Sequence, residues 1–597
     1  MATQVSRVGA GADSAMPAPS QWWIMGGVKD FLLFAGTPFL ILPTIILLER
    51  YIAASDLYLA VAAFGALGHH LPGMMRAYGD RDLFQRFKMR FILGPIVLLG
   101  TCTAFGFVDP SMYAITVIAY GWGLWHGLMQ VFGFLRIYDA KVKSFSTVTA
   151  RLDMWMCIAW FGFGILFSSS RMHFLLEAFY YAGGPQIASS WIDNARVVWG
   201  TAVVLITLSF LVNAIYRWRI GTPAHPMKYF TLVTSISFWI YVCMGVHNLL
   251  VGIMMFEIFH DVQYLSIVWM FNRKRAQTQP DHVGRFTRWL FGQAQSRAIL
   301  YVGLVMAYGC LYFIEMGLSK WNPVSLTDNT PVWGGILAAS GLLHFYYDGF
   351  IWKVKEKPTR KLLGLDGGRE VSGDGNWWNR QWVRMPGWFE HGFNWTPFAL
   401  ICGLFFYSAF NPALNEVSAR TALATTFPDY DLAQSNMGIV LYTEGDLEGA
   451  IDINRRTLST NPRDRILKNT LTTNLGSNLI ELSEREVRQG NLQLAQGHLE
   501  VAYGVDPTYA DALNNQGAEL AKKNQHRDAA IKYQMAILMK PDHAYYRMNL
   551  AIAFARLGSL PEALNEAQVA AKINPDDANI RNLVNQLEAR IKQGSTP

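Results

Sequence analysis

A chain of 597 residues has room for several domains or for one large bundle with an appendage. Its composition divides it: residues from about 28 to 413 are rich in Phe, Trp, Leu, Ile and Gly, and residues from about 428 onward in Asn, Gln, Ala and charge. The formal net charge of +7 does not make it a nucleic-acid binder, because most of the Lys and Arg excess lies in short stretches between apolar spans, where membrane topology is a sufficient cause.

Residues 1–27 contain Ala, Ser and Pro with few charges and no compact apolar core, which predicts a disordered cytosolic tail and not a cleaved signal peptide. Residues 28–413 form the expected transmembrane helical domain. A helix needs about 20 apolar residues to cross a hydrocarbon core of about 30 Å. Stretches of that kind lie near 30–48, 57–76, 90–108, 112–136, 152–170, 197–217, 229–247, 252–272, 297–318, 332–353 and 395–413, about 11 spans. The seventh and eighth divide near Gly245–Gly252; one kinked helix over 229–272 would reverse the parity of all that follows. Cys102, Cys157, Cys243, Cys310 and Cys402 fall inside these spans without a CxxC pair and read as buried free thiols.

The loops fix a direction. Basic residues follow every even-numbered span, as in Arg76 to Arg90, Arg136 to Arg151, Arg217 to Lys228, Arg273 to Arg288 and Lys353 to Lys361. The opposite loops near 49–56, 109–111 and 319–331 carry almost none. The N-terminus is therefore expected in the cytoplasm of a cell with a bacterial-type inner membrane, and an odd count puts the C-terminal part on the outer, periplasmic face. The segment 366–394 is Gly-rich and carries Trp377, Trp378, Trp382 and Trp388, which suit an anchor at the inner interface.

After a linker at 414–429, residues 430–597 show a fixed period. Pro507, Pro541 and Pro575 are 34 residues apart, as are Ala495, Ala529 and Ala563, and Ala502, Ala536 and Ala570. An earlier copy holds Gly438, Gly445, Ala450 and Pro462, followed by an irregular insertion. Small residues let two helices approach, and Pro ends the second of them. The pattern resembles the tetratricopeptide-repeat family, although Asn436 to Val440 lacks the usual Trp. About four repeats and a capping helix near 578–592 are expected. The resemblance implies a groove for a peptide or protein partner and no chemistry. The fold class expected is all-α: a polytopic transmembrane helix bundle followed by a tetratricopeptide α-solenoid.

Ionisable residues inside spans are costly and are functional candidates by default. His69 and His70 lie on span two, His126 on span four, His260 on span eight and His344 on span ten, all spans running toward the cytoplasm. Each histidine precedes the inner basic residues by a similar length, so four parallel helices can aim imidazoles at one place. These five are the candidate metal ligands. Glu257, Asp261 and Asp348 are the candidate catalytic carboxylates, as further ligands or orienting partners, with Gln130, Gln263 and Tyr264 beside them. His247 falls in the turn between spans seven and eight. His173, His225, His282 and His391 read as loop residues, and His498, His526 and His543 belong to the repeats.

His126, His260 and His344, scattered over separate helices, are similar in arrangement to the integral-membrane carotenoid-cleaving dioxygenases of the Brp/Blh type, which implies one iron held by histidines from several spans. The function expected is that of a metal-dependent membrane oxygenase or oxidoreductase, with iron as the metal, haem not excluded, and a hydrophobic substrate drawn from the lipid bilayer. Two alternatives stand beside it: a membrane glycosyl- or acyltransferase with a repeat tail, or a non-enzymatic scaffold or assembly subunit of a membrane complex.

Overall fold

The computed structural model describes residues 22–144, 146–246, 248–292, 297–312, 330–351 and 387–594. Among these the secondary structure is helical throughout; the one β feature is an isolated antiparallel bridge between Asp80 and Val283. The chain forms two compact units, Met1–Ala419 and Arg420–Pro597. Where a linker was expected at 414–429, a helix, Glu416–Thr426, runs across that division.

The N-terminal unit contains α1 (Pro38–Leu48), α2 (Ala54–Val61), α3 (His70–Gly79), α4 (Lys88–Val108), α5 (Tyr113–Lys141), α6 (Thr147–Leu166), α7 (Ser169–Tyr181), α8 (Ser189–Arg219), α9 (Pro226–Ile240), α10 (Leu249–Thr278), α11 (Arg297–Gly309), α12 (Thr330–Ile351) and α13 (Gly387–Phe410). By length and composition, four stretches among the described residues can cross a membrane: α4, α8, Pro226–Gly245 and α10. The number rises to six if two bent pairs each count as one span. This is fewer than the eleven expected; the expected spans at 297–318 and 332–353 run beyond the described residues, and elsewhere the reason is local. The expected span at 57–76 is α2, a π-helical turn at Ala62–Leu67, then α3. The span at 152–170 breaks at Ser168, whose side chain caps α7, and the chain bends by 81°.

The residues at 229–272 are two helices. A π-helical turn at Tyr241–Gly245 closes the first, and Asn248 caps the second by accepting from the amides of Leu250 and Val251. The exposed face of α8 carries Val198, Val204, Leu205, Leu208, Val212 and Ile215, an apolar surface that water would penalise. Cys102, Cys157 and Cys243 are buried as expected, but Cys402 is half-buried and Cys310 exposed; all five are free.

Residues 22–27 are ordered, contrary to the expected tail, because Asp30 accepts hydrogen bonds from the amides of Ile24, Met25 and Gly26 and from the Tyr138 hydroxyl. Residues 1–21, His247 and the Trp-rich stretch at 366–386 lie outside the described residues. Close to Asp30 in the sequence of contacts, a buried ion cluster joins three helices. Lys228 Nζ of α9 stands 2.7 Å from Asp139 of α5 and 2.8 Å from Asp153 of α6, and Arg136 Nη1 reaches the same two oxygens at 2.9 and 2.6 Å. Two carboxylates and two cations offset one another, so the cluster is neutral as a set.

The C-terminal unit consists of helix pairs α15 (Asp431–Thr443) with α16 (Leu447–Ser459), α17 (Arg465–Gln489) with α18 (Leu492–Val505), α19 (Thr508–Lys522) with α20 (His526–Met539), and α21 (Ala544–Leu557) with α22 (Leu560–Ile573); α23 (Ala578–Gly594) follows, and Glu416–Thr426 is α14. The periodic Ala495, Ala529, Ala563, Ala502, Ala536 and Ala570 are completely buried, which is what close helix approach requires. Gly490, Asn524 and Gly558 close the first helix of successive pairs with positive φ, the left-handed turn that Gly and Asn tolerate best. The irregular insertion is absorbed by α17, which runs for 25 residues.

Two outcomes follow from this packing. Lys228→Met leaves two buried carboxylates with one cation, at a cost of about 3–5 kcal/mol, seen as a large fall in the thermal unfolding temperature of the detergent-solubilised protein. In the repeats, burial raises the Glu484 carboxyl, but hydrogen bonds from Lys532 and Arg488 outweigh it and hold the group below the ordinary glutamate range. A depressed folded value contributes stability that is complete above the unfolded value of about 4.3 and is lost as pH falls through the folded one. Circular dichroism of wild type and Lys532→Met on acidification should therefore show a stability gap at neutral pH that closes in the acid limb.

Candidate metal centre

Four helical segments each bring one imidazole to a common point. His69 stands one residue beyond the π-helical turn at Ala62–Leu67, at the start of α3, His126 lies on α5, His260 on α10 and His344 on α12. Their ligand nitrogens all lie within 4.8 Å of one another. His344 Nε2 is 3.1 Å from His69 Nε2 and 3.2 Å from His126 Nε2, and His126 Nε2 is 3.2 Å from His260 Nε2. His69, His260 and His344 are buried and His126 nearly so.

Imidazole chemistry limits what such a cluster can be. A ring nitrogen offers either a proton or a lone pair, in one in-plane direction. His344 and His126 each touch two other rings through the same Nε2, so neither can make both contacts as ordinary hydrogen bonds. A metal ion resolves the conflict by accepting every lone pair. On a first-row ion with bonds of about 2.1 Å, ligands at right angles stand about 3.0 Å apart, close to the spacings observed here.

The rings are oriented from behind. His69 Nδ1 lies 2.8 Å from Asp261 Oδ1 and 3.0 Å from the Gly65 carbonyl, which places the proton on Nδ1 and leaves Nε2 free to ligate. Gly65 belongs to the π-helical turn, and a Cβ there would sit only 2.3 Å from Asp261 Oδ2, so the carboxylate occupies the space that glycine vacates. Gln130 of α5 donates to the His260 carbonyl at 3.1 Å and to Gln263 at 2.9 Å, and Gln263 donates to the Phe34 carbonyl. Asp348 Oδ2 stands 3.8 Å from His344 Nε2 and 3.9 Å from His126 Nε2, while its Oδ1 accepts from the Tyr264 hydroxyl at 2.9 Å. It is in position to become a fifth ligand after a small shift.

The expected residues are sorted by this geometry. His69, His126, His260 and His344 come together. His70 does not join them: as the next residue after His69 on a helix it points about 100° away, its Nδ1 pairs with Ser340 Oγ at 3.0 Å, and its ring stacks on His344. Asp261 supports His69 from behind and Asp348 stands at the edge of the cluster. Glu257, one turn before His260, lines an adjoining cavity of about 380 Å³ shared with His69, His70, His126 and His260. His173, expected in a loop, is buried in α7, and His225 caps α9 by accepting from the Met227 amide. Gly65 and Ser340 carried no sequence signal, since a π-helical turn and a distant hydroxyl have no local pattern.

Comparison with known proteins adds to the second unit. Residues 516–578 match the family model for the tetratricopeptide repeat. A 130-residue stretch is 29% identical to Hsp70-Hsp90 organizing protein 1 of Glycine max, covering 22% of this chain and 19% of that protein. An 88-residue stretch is 30% identical to the Hsp70-Hsp90 organizing protein of Triticum aestivum, covering 15% of each. The chain thus spans less than a fifth of the length of these curated relatives. Among solved structures, the TPR2AB domain of yeast Sti1 in complex with an Hsp90 peptide is 16% identical, with a TM-score of 0.14, covering 32% of this chain and 79% of that one.

The supporting shell generates a test. Gly65→Ala should displace the Asp261 carboxylate, and both Gly65→Ala and Asp261→Asn should weaken metal affinity by about 10–100-fold in chelator competition. Because both act through the same His69 contact, the double variant should bind no more weakly than the weaker single one. Within the C-terminal unit, the tetratricopeptide repeat is matched over residues 516–578.

Proposed function

We propose that this is an integral-membrane protein that holds one metal ion at His69, His126, His260 and His344, and recruits a protein partner through its repeats. The convergence of four ring nitrogens within 4.8 Å carries the first half of this reading. Imidazole ligands with one carboxylate, Asp348, in reach suit non-haem iron. Such an ion would supply Lewis-acid and oxygen-activating chemistry to a hydrophobic substrate, as an oxygenase or related oxidoreductase. In that role the chain's own residues do the positioning: the Gly65 carbonyl, with the Asp261 carboxylate beside it, fixes the tautomer of His69, Gln130 and Gln263 lock α5 to α10, and Tyr264 steadies Asp348.

Membrane placement is supported by the apolar helices and by the exposed aliphatic face of α8. The Lys and Arg distribution supports a cytoplasmic N-terminus, and an odd number of spans would put the repeat unit in the periplasm. A second reading is favoured by the repeats themselves: a scaffold or assembly subunit whose main work is holding partners. The curated relatives are named for organising Hsp70 and Hsp90, and a peptide-binding groove would serve the same kind of role here with a partner of its own.

Elemental analysis of the gently purified protein, with an absorption spectrum to detect haem, tests both readings. One metal per chain is expected in wild type and in His70→Ala, and loss of it in His126→Ala and His344→Ala. Full retention in the last two variants would sink the metal centre; a metal-free wild type with stoichiometric protein partners would favour the scaffold.

A further inference from the structure

Building on the metal-centre reading, we propose that the cavity beside the four histidines binds a slender apolar molecule with a single hydrogen-bond-donating head, a long-chain alcohol or amine, whose head rests at Glu257 and Tyr58. The cavity of about 380 Å³ falls within the range of small-molecule sites, about 300–1,000 Å³. Its walls are mostly aliphatic and aromatic, and its width comes from missing side chains. Gly123 and Gly127 lie one turn apart on α5, where a Cβ would meet only the rings of Phe345 at 3.4 Å and Phe256 at 3.2 Å.

The polar part of the wall decides the ligand class. Glu257 and Tyr58 both line the cavity, and neither makes a hydrogen bond to any described residue. A carboxyl turned into a largely apolar cavity is costly, charged or neutral, unless a hydrogen-bond partner meets it. A hydrocarbon leaves that cost in place, and a fatty acid crowds a second carboxyl against the first. An alcohol or amine donates to Glu257, and an alcohol can also accept from the Tyr58 hydroxyl.

The direction is set by the order of residues along each helix. Tyr58 precedes His69, Gly123 precedes His126, Glu257 precedes His260 and Gly341 precedes His344. The cavity therefore lies toward the N-terminal ends of these segments, with the cluster forming its far wall. A ligand headed at Glu257 places its chain along the glycine face of α5, within reach of the rings of His126 and His260.

Thermal unfolding of the full-length protein in lipid nanodiscs, with graded amounts of dodecan-1-ol, dodecane or dodecanoate, tests this. The alcohol should stabilise wild type at concentrations about ten-fold lower than either other probe, and Gly123→Leu, which fills the cavity, should abolish the effect. Equal responses to the three probes, or an unchanged response in Gly123→Leu, would overturn the proposal. Should that variant fail to fold, Glu257→Gln carries the test, since it must bring alcohol and dodecanoate together and an unchanged preference refutes the assignment. Metal content is measured in the same samples. A metal-free protein that still selects the alcohol removes the metal reading alone, and a metal-loaded protein that does not select it removes this inference alone.

Discussion

The N-terminal unit is organised around one unfavourable arrangement, four imidazole nitrogens turned toward each other in an interior that holds little water. His126 and His344 cannot satisfy both of their contacts as hydrogen bonds, and the low dielectric makes an unmet contact costly. Helices with free choice would rotate the rings apart. They do not, because the rings have contacts outside the cluster: Asp261 and the Gly65 carbonyl for His69, the Phe345 ring for His126, the Tyr264 ring for His260, and packing between His70 and Tyr264 for His344. A site arranged in this way would need little rearrangement to accept the proposed cation.

One turn of α10 carries an unusual share of the load. His260 faces the cluster, Asp261 turns to His69, Gln263 reaches both Gln130 and the Phe34 carbonyl, and Tyr264 holds Asp348. Between them they reach α5, the turn before α3, α12 and the carbonyl of Phe34, with His260 and Gln263 both meeting α5. The polar residues of this turn are all buried.

How much of this was legible in the sequence depends on the length scale of the cause. The 34-residue repeat was readable because Ala536 and its counterparts serve the same helix contact in every copy, and a repeated physical need leaves a repeated letter. The histidine band was readable because matched depth on parallel helices is counted in residues. The choice between His69 and His70 was not, since adjacent positions differ only by a rotation that the π-helical turn at Ala62–Leu67 sets. The span count suffered from the same blindness: π-helical turns and the 81° bend before α7 break apolar stretches that a composition window reads as continuous. The ordering of residues 24–26 on Asp30 was hidden too, because the amides that bind it are backbone and have no sequence signature.

The two buried polar layers of the N-terminal unit make the argument for a cation from the other side. Asp139 and His126 are separated by 13 positions of α5, a rise of about 20 Å. At the Asp139 level the fold neutralises its own charges: two aspartates meet Lys228 and Arg136, every ion at hydrogen-bonding distance from its counter-ion. A chain able to bury an Arg and a Lys beside carboxylates at one level has the means to do so at the other. At the His126 level it concentrates four imidazoles instead, with Asp348 at 3.8–3.9 Å from two of them and held back by Tyr264. Side chains that could have closed that layer as an ion pair are replaced by imidazoles, and under the proposed function a positive charge from outside the chain would complete the set.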